Sequence, residues 1–336
     1  MEIVGHQWVL DLLRRSVEQG RSSHAYLLTG PAQLGKFTVA LAMARTLLCD
    51  VGRGCGTCRQ CQLMARGAHP DLSVLELPAD RRTIPIKDVH DFCQGMALRP
   101  LEAAHKVYII HDADNLAEDG ANALLKTIEE PPAHVTLILT APAPASLLET
   151  IVSRCQLLAL RPAAIAEIRH HLVAHLDVEE ERADIIARAS EGRPGWAIFA
   201  TQHPDTLEAR QRRAADLLDL LGGTRLERLQ AADALAARWS GHAGEVRDAL
   251  AVWTEVWRDA LLHGEGLADY ARLPGVADRV AGVARALPAT NVNGALAATL
   301  QVADALERNA NPRLALERYA LYLPRIPSGA PRRPAS

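Results

Sequence analysis

The spacing of hydrophobic and polar positions changes character once along the chain. Up to about residue 160, short continuous apolar runs alternate with segments whose apolar residues recur every three or four positions. Ala25-Tyr26-Leu27-Leu28-Thr29 predicts a strand that feeds a glycine-containing loop, and Val39, Leu41, Ala42, Leu47 and Leu48 mark the apolar side of the helix behind it. Val74-Leu75-Glu76-Leu77 predicts a second strand, and Lys87 to Leu98 a helix with Val89, Phe92 and Met96 inward. Val107–Ile110 and Val135–Leu139 are β-rich runs suited to central parallel strands, and Gln156–Leu160 reads as a further strand. Between the first two of these runs, Ala121, Leu124, Leu125 and Ile128 mark a helix that Pro131-Pro132 stops. This alternation predicts an α/β fold on a parallel sheet.

Beyond Pro162 the strand signals end. Residues 163–205 hold short helices broken at Gly192-Arg193-Pro194-Gly195, and residues 206–324 hold long Ala/Leu-rich amphipathic helices. The pattern therefore predicts three parts, at 1–162, 163–205 and 206–324. A Pro-rich tail follows at 325–336, expected to be disordered. The class is α/β plus all-α.

Composition narrows the function. A net charge of −3 supplies no basic excess for gripping DNA unaided, so any DNA contact is expected to be shared with partners. No run of eighteen apolar residues occurs, and Met1-Glu2-Ile3-Val4-Gly5 does not begin a signal peptide. A cytoplasmic protein without a membrane partner is expected. His242 and His263 stand alone and read as solvated or core residues, and Trp253 and Trp257 as core on one helical face.

Gly30-Pro31-Ala32-Gln33-Leu34-Gly35-Lys36 lies between a strand and a helix, where backbone amides and a lysine can surround phosphate oxygens. The bland alternative is a glycine turn that merely closes a βα unit. A phosphate loop needs Ser or Thr after its lysine to ligate Mg²⁺, and here that residue is Phe37. Thr38 is the next hydroxyl, roughly 100° further round the helix. After the Val107–Ile110 strand an ATPase wants Asp-Glu, one for the metal and one for the attacking water. The chain offers His111-Asp112, with Asp114 two residues on. Gly30, Gly35, Lys36, Thr38 and Asp112 form a degenerate nucleotide site, and binding of ATP with Mg²⁺ stays open.

Four cysteines, Cys49, Cys55, Cys58 and Cys61, crowd into thirteen residues beside Gly54 and Gly56. In a reducing compartment that spacing points to a closed tetrathiolate around structural Zn²⁺ rather than to disulfides, with an iron–sulfur cluster as the alternative. Cys93 and Cys155 are isolated and read as packed thiols.

Several of these elements recur together in one family. Val4-Gly5-His6-Gln7, His24-Ala25-Tyr26-Leu27, the phosphate loop, the cysteine cluster, Asn122-Ala123-Leu124-Leu125-Lys126-Thr127-Ile128-Glu129-Glu130-Pro131-Pro132 and Ser153-Arg154-Cys155 resemble the AAA+ subunits of bacterial DNA polymerase III clamp loaders. The likeness is close over about residues 3–200. Trp257-Arg258-Asp259 and Asn311–Glu317 resemble the same family's helical collar. It implies an AAA+ P-loop domain with a zinc module at 49–61, a small helical lid and an oligomerisation collar. It also implies that Arg154 acts in trans, as an arginine finger on a neighbour's ATP site. The implied partners are gamma/tau and delta subunits, with the beta sliding clamp and primer–template DNA reached through the complex. Motor members carry Ser or Thr after the lysine, Asp-Glu in the second motif, and a sensor arginine where Gly195 stands here. Those departures, and no long C-terminal extension, imply a non-motor subunit; the alternative is an active ATPase of gamma/tau type. No polymerase carboxylate constellation is visible, so polymerisation would belong to a partner.

Overall fold

The computed structural model describes residues 3–326, and the chain forms two compact units. The first comprises Met1–His171 with Gly192–Trp196, and the second Leu172–Glu191 with Ala197–Ser336. The expected disordered tail lies outside the described residues from 327 onward.

In the first unit, the described residues build one five-stranded parallel sheet in the order β2-β3-β4-β1-β5. Its strands are β1 Ala25–Thr29, β2 Leu72–Leu75, β3 Lys106–Ile110, β4 Val135–Ala141 and β5 Gln156–Ala159. Every residue of β1, β3 and β4 is buried, as continuous apolar runs require when helices cover both faces. Alternation divides the strands between two cores. Tyr26, Leu28, Val107, Ile109 and Ile138 face one core, shared with α1 (Gln7–Glu18) and α2 (Lys36–Leu48). Leu27, Tyr108, Ile110, Leu137 and Leu139 face the other, shared with α4 (Ile86–Met96) and α5 (Glu118–Glu129). Helix α3 (Arg59–Ala65) follows α2, and α6 (Glu149–Val152) precedes β5.

Two local expectations shift. The second strand runs from Leu72, two residues earlier than the apolar run implies, because Val107 donates its N–H to the Asp71 carbonyl at 2.9 Å and fixes the register of Leu72 opposite Val107. On α2 the fully buried face is Val39, Ala40, Met43, Ala44 and Leu48, whereas Leu41, Ala42 and Leu47 are half-buried. Small alanines let this helix sit close to the sheet, so residue size overrides hydrophobicity there.

Helices α7 (Ile165–Leu176) and α9 (Pro194–Gln202) run through the points where the chain passes between units. The second unit is helical: α8 (Glu180–Ala189), α10 (Pro204–Gly222), α11 (Arg225–Gly264), α12 (Ala277–Ala286), α13 (Ala289–Glu307) and α14 (Pro312–Tyr322). Its core is built on Trp253, Trp257, Leu217, Val280, Val302 and Tyr319. Thr224 and Glu227 start α11 with a reciprocal capping box, and non-helical backbone at His242 kinks that helix. Arg228 is buried against the carbonyls of Leu220, Leu221, Leu323 and Pro324, where the C-terminal ends of α10 and α14 supply negative dipole in place of a carboxylate. Among the described residues no helix is long and apolar enough to cross a membrane.

Candidate functional site

Parallel strands deliver their following loops to one edge, so β1, β3 and β4 bring Gly30, His111 and Thr140 to the carboxyl end of the sheet. The loop from Gly30 to Gly35 turns tightly. Gln33 and Gly35 have φ of 61° and 91°, and Gly35 caps the start of α2. Lys36 is buried and folds back onto its own loop, where Nζ donates to the carbonyls of Gly30 at 2.9 Å and Pro31 at 3.1 Å. Burial pushes its pKa down, and the charges of Asp112 and Asp114 pull against that. His6 Nε2 lies 3.2 Å from the Leu34 carbonyl and buttresses the loop from outside. Gly195 N–H donates to the Gln33 carbonyl at 2.9 Å, and a Cβ at Gly195 would stand 2.7 Å from that oxygen. Gly195 thus abuts the loop backbone so closely that a side chain would collide with it.

The two departures from a metal-binding ATPase meet in space. Phe37 stacks on His111, with ring centroids 4.4 Å apart and planes inclined by 27°. His111 Nδ1 lies 3.8 Å from Glu76 and Nε2 3.6 Å from Asp112. Asp112 adopts a left-handed conformation (φ 50°) and donates its backbone N–H to Thr140 Oγ1 at 2.8 Å. Thr38 is half-buried on α2, and Asp114 is exposed beyond the turn. Neither ring of this aromatic pair offers Mg²⁺ a hard oxygen ligand.

Arg154 follows α6 on the surface. Its Nη1 donates to the Thr150 carbonyl at 2.9 Å, and its Nη2 pairs with Glu129 Oε1 at 2.8 Å. The guanidinium is thus held at the end of α5 by a partly exposed ion pair, which in water is worth ~0.2–1 kcal/mol. A stronger anion can displace so weak a partner.

The four expected cysteine ligands converge. The Sγ atoms of Cys49, Cys55, Cys58 and Cys61 all lie within 4.8 Å of one another, and Cys49 and Cys58 are 3.9 Å apart. A zinc ion bound tetrahedrally at about 2.3 Å sets its sulfurs roughly 3.8 Å apart, so the donors fit one ion and lie too close to span a multi-iron cluster. Backbone N–H groups already point at the sulfurs: Cys55 at Cys49, Cys58 at Cys55, and Cys61 at Cys58, each at 3.4 Å. A hydrogen bond from the Thr57 hydroxyl, with backbone donors, draws the exposed Cys55 thiol down to about 6. Burial pushes Cys61 up to about 12, against donors from Gly56 and Arg45.

Beside the cluster, Gln60 of α3 bridges His69 Nε2 at 3.0 Å and the Glu102 carbonyl at 3.1 Å. Asp71 is fully buried and accepts the N–H groups of Leu101, Glu102 and Ala103 at 2.7, 2.7 and 2.8 Å. Burial alone would raise its pKa, but those three donors hold it below its usual value. This network ties the cysteine-bearing segment to the β2–β3 edge. Thr140, Glu129, Asp71 and Arg45 escaped the sequence reading as site residues. Only contacts made in the fold reveal them.

Known proteins resemble the chain chiefly in this region. Residues 5–164 match the family described as "DNA polymerase III, delta subunit". Over 199 residues the chain is 35% identical to DNA polymerase III subunit tau of Escherichia coli, covering 57% of this chain and 30% of that protein. Over 181 residues it is 35% identical to DNA polymerase III subunit delta' of Bacillus subtilis, covering 53% of this chain and 54% of that protein. The chain thus spans about a third to a half of the length of these relatives. A solved gamma subunit-related protein from Thermotoga maritima aligns at 18% identity and a TM-score of 0.42, covering 93% of this chain and 97% of that one.

Proposed function

We propose that this chain is a delta-prime-type, non-motor member of the clamp-loader family of DNA polymerase III subunits, a reading supported by the family match over residues 5–164. In this reading it is a degenerate ATPase that helps load the beta sliding clamp onto primed DNA in the cytoplasm, within a hetero-oligomer containing gamma/tau and delta subunits. Residues 1–162 act as the AAA+ domain, 163–205 as the lid and 206–324 as the collar.

The observation that carries the non-motor assignment is the Phe37–His111 stack. Hydrolysis of a phosphoanhydride requires a cation bridging the β- and γ-phosphates and a carboxylate that orients water. The stack occupies the position of two metal ligands at once, and Lys36 is engaged by the carbonyls of Gly30 and Pro31. The similarity to tau subunits favours a motor reading instead, and the stack is the observation set against it.

What the chain contributes chemically is then Arg154. A guanidinium at a subunit boundary stabilises charge on a neighbour's transferring phosphoryl, an effect worth about 10³-fold or more in related sites. Its ion pair with Glu129 is weak enough to exchange for a triphosphate. Cys49, Cys55, Cys58 and Cys61 would hold zinc, which in a closed tetrathiolate cross-links chain segments and performs no catalysis. The test is ATP turnover by a reassembled loader carrying Arg154→Ala in this chain alone. Turnover should fall at least tenfold while the variant still assembles; native turnover in that assembly would refute the finger.

A further inference from the structure

We propose that Arg45 is the counter-cation of the zinc site, a positioning residue that neutralises the tetrathiolate from outside its coordination shell. The inference rests on the zinc reading given above and concerns a residue that no spacing rule connects to the cysteines.

A zinc ion on four thiolates carries a net charge of about −2. Cys49 and Cys61 are only 6% and 2% exposed, so water reaches the cluster only from the side of Cys55 and Cys58. Backbone N–H groups reach the sulfurs of Cys49, Cys55 and Cys58, but these are neutral donors. The cation packed against the knuckle is Arg45, whose side chain, with the Gly56 amide, opposes the upward push of burial on the Cys61 thiol.

Arg45 lies in the last turn of α2. Its guanidinium is pressed against the knuckle, because a Cβ built on Gly56 would stand 2.6 Å from Arg45 Nη2 and one on Gly54 would stand 3.6 Å from Arg45 Cγ. Gly56 also has φ of 82°, and its missing side chain makes room for the arginine, whereas a Cβ on Gly54 would only be in ordinary contact with it. Arg45 Nε is buried with no hydrogen-bond partner among the described residues, and none of their carboxylates forms a salt bridge with Arg45. A buried guanidinium nitrogen without a hydrogen-bond partner is costly. The anion adjacent to it is the thiolate cluster, and outer-shell partners of this kind typically change metal affinity 10–100-fold. The competing account is that Arg45 only complements the dipole at the end of α2. In that case its removal would weaken the helix but leave metal affinity alone.

The experiment uses the purified full chain, stripped of metal and titrated with zinc against a chromophoric chelator, with cobalt as a second probe. Arg45→Gln should weaken zinc and cobalt binding at least tenfold, and Arg45→Lys, which keeps the charge, should stay within about threefold of native. An Arg45→Gln affinity within twofold of native overturns the proposal. So does an equal loss in both variants, because charge would then not be the cause. If Arg45→Gln does not fold, Arg45→Lys decides alone: within threefold supports the assignment, and a larger loss ends it. A native chain that takes up neither metal would fail the zinc reading itself, an outcome distinct from all of these.

Discussion

Helix α2 begins in one candidate site and ends beside another, and the two ends treat their polar groups in opposite ways. At its start the loop is satisfied from within. Lys36 caps the carbonyls of Gly30 and Pro31, Gly195 meets Gln33, and Phe37 lies flat on His111. At its end, four thiols of one chemical kind converge within 4.8 Å, with Arg45 beside them. Groups of complementary kind can settle one another and need no ligand. Thiolates brought together repel, and only a cation makes their convergence favourable. In the proposed reading, the chain has given up its nucleotide corner as a reaction site and kept its cysteine corner as a structural one.

The largest expected effect breaks the cysteine end. Cys61→Ser should abolish the metal equivalent found by elemental analysis and lower stability by several kcal/mol in a chemical melt, because metal binding there is folding energy. Unchanged metal content and midpoint would show that the convergence is incidental. Next comes the brace behind it. Asp71→Ala leaves the part-buried N–H groups of Leu101, Glu102 and Ala103 without their acceptor; water can reach some of them, so about 1–3 kcal/mol should be lost.

That brace also has a pH signature. The folded pKa of Asp71 is depressed, so its contribution is present above the unfolded value of about 3.9 and disappears as pH falls through the lower folded value. Urea unfolding of native chain and Asp71→Asn should differ fully at pH 7 and converge as pH drops below about 4. A gap independent of pH would contradict the ionised role.

The smallest effect sharpens the nucleotide end. A double-mutant cycle over Phe37→Ala and His111→Ala should give a coupling of about 0.5–1.5 kcal/mol, as expected for a stacked aromatic pair. Additive effects would mean that the two rings merely coexist.

Much of this contrast could be read from the sequence, but not its cause. The central strands announce themselves because parallel strands covered on both faces are apolar throughout, and the cysteines do so through their spacing. Phe37 and His111 are each visible as departures from an ATPase pattern. Their stacking is not, because it joins the start of a helix to the end of a strand more than seventy residues away. The slip of β2 to Leu72 has the same origin, a hydrogen bond from Val107 to Asp71 that periodicity cannot anticipate. Ala40 and Ala44, not Leu41, face the core of α2 because close approach to the sheet rewards small side chains. Gly195 looked like a missing arginine and is also a close backbone contact with Gln33.

The central claim, that this chain does not itself turn over nucleotide, is tested most directly by measuring ATP hydrolysis by the purified chain alone, with Mg²⁺, primed DNA and clamp present. The account predicts no turnover above background. Turnover that Lys36→Ala abolishes would contradict it, and would mean that Thr38, Asp112 or Asp114 holds the metal despite the stack.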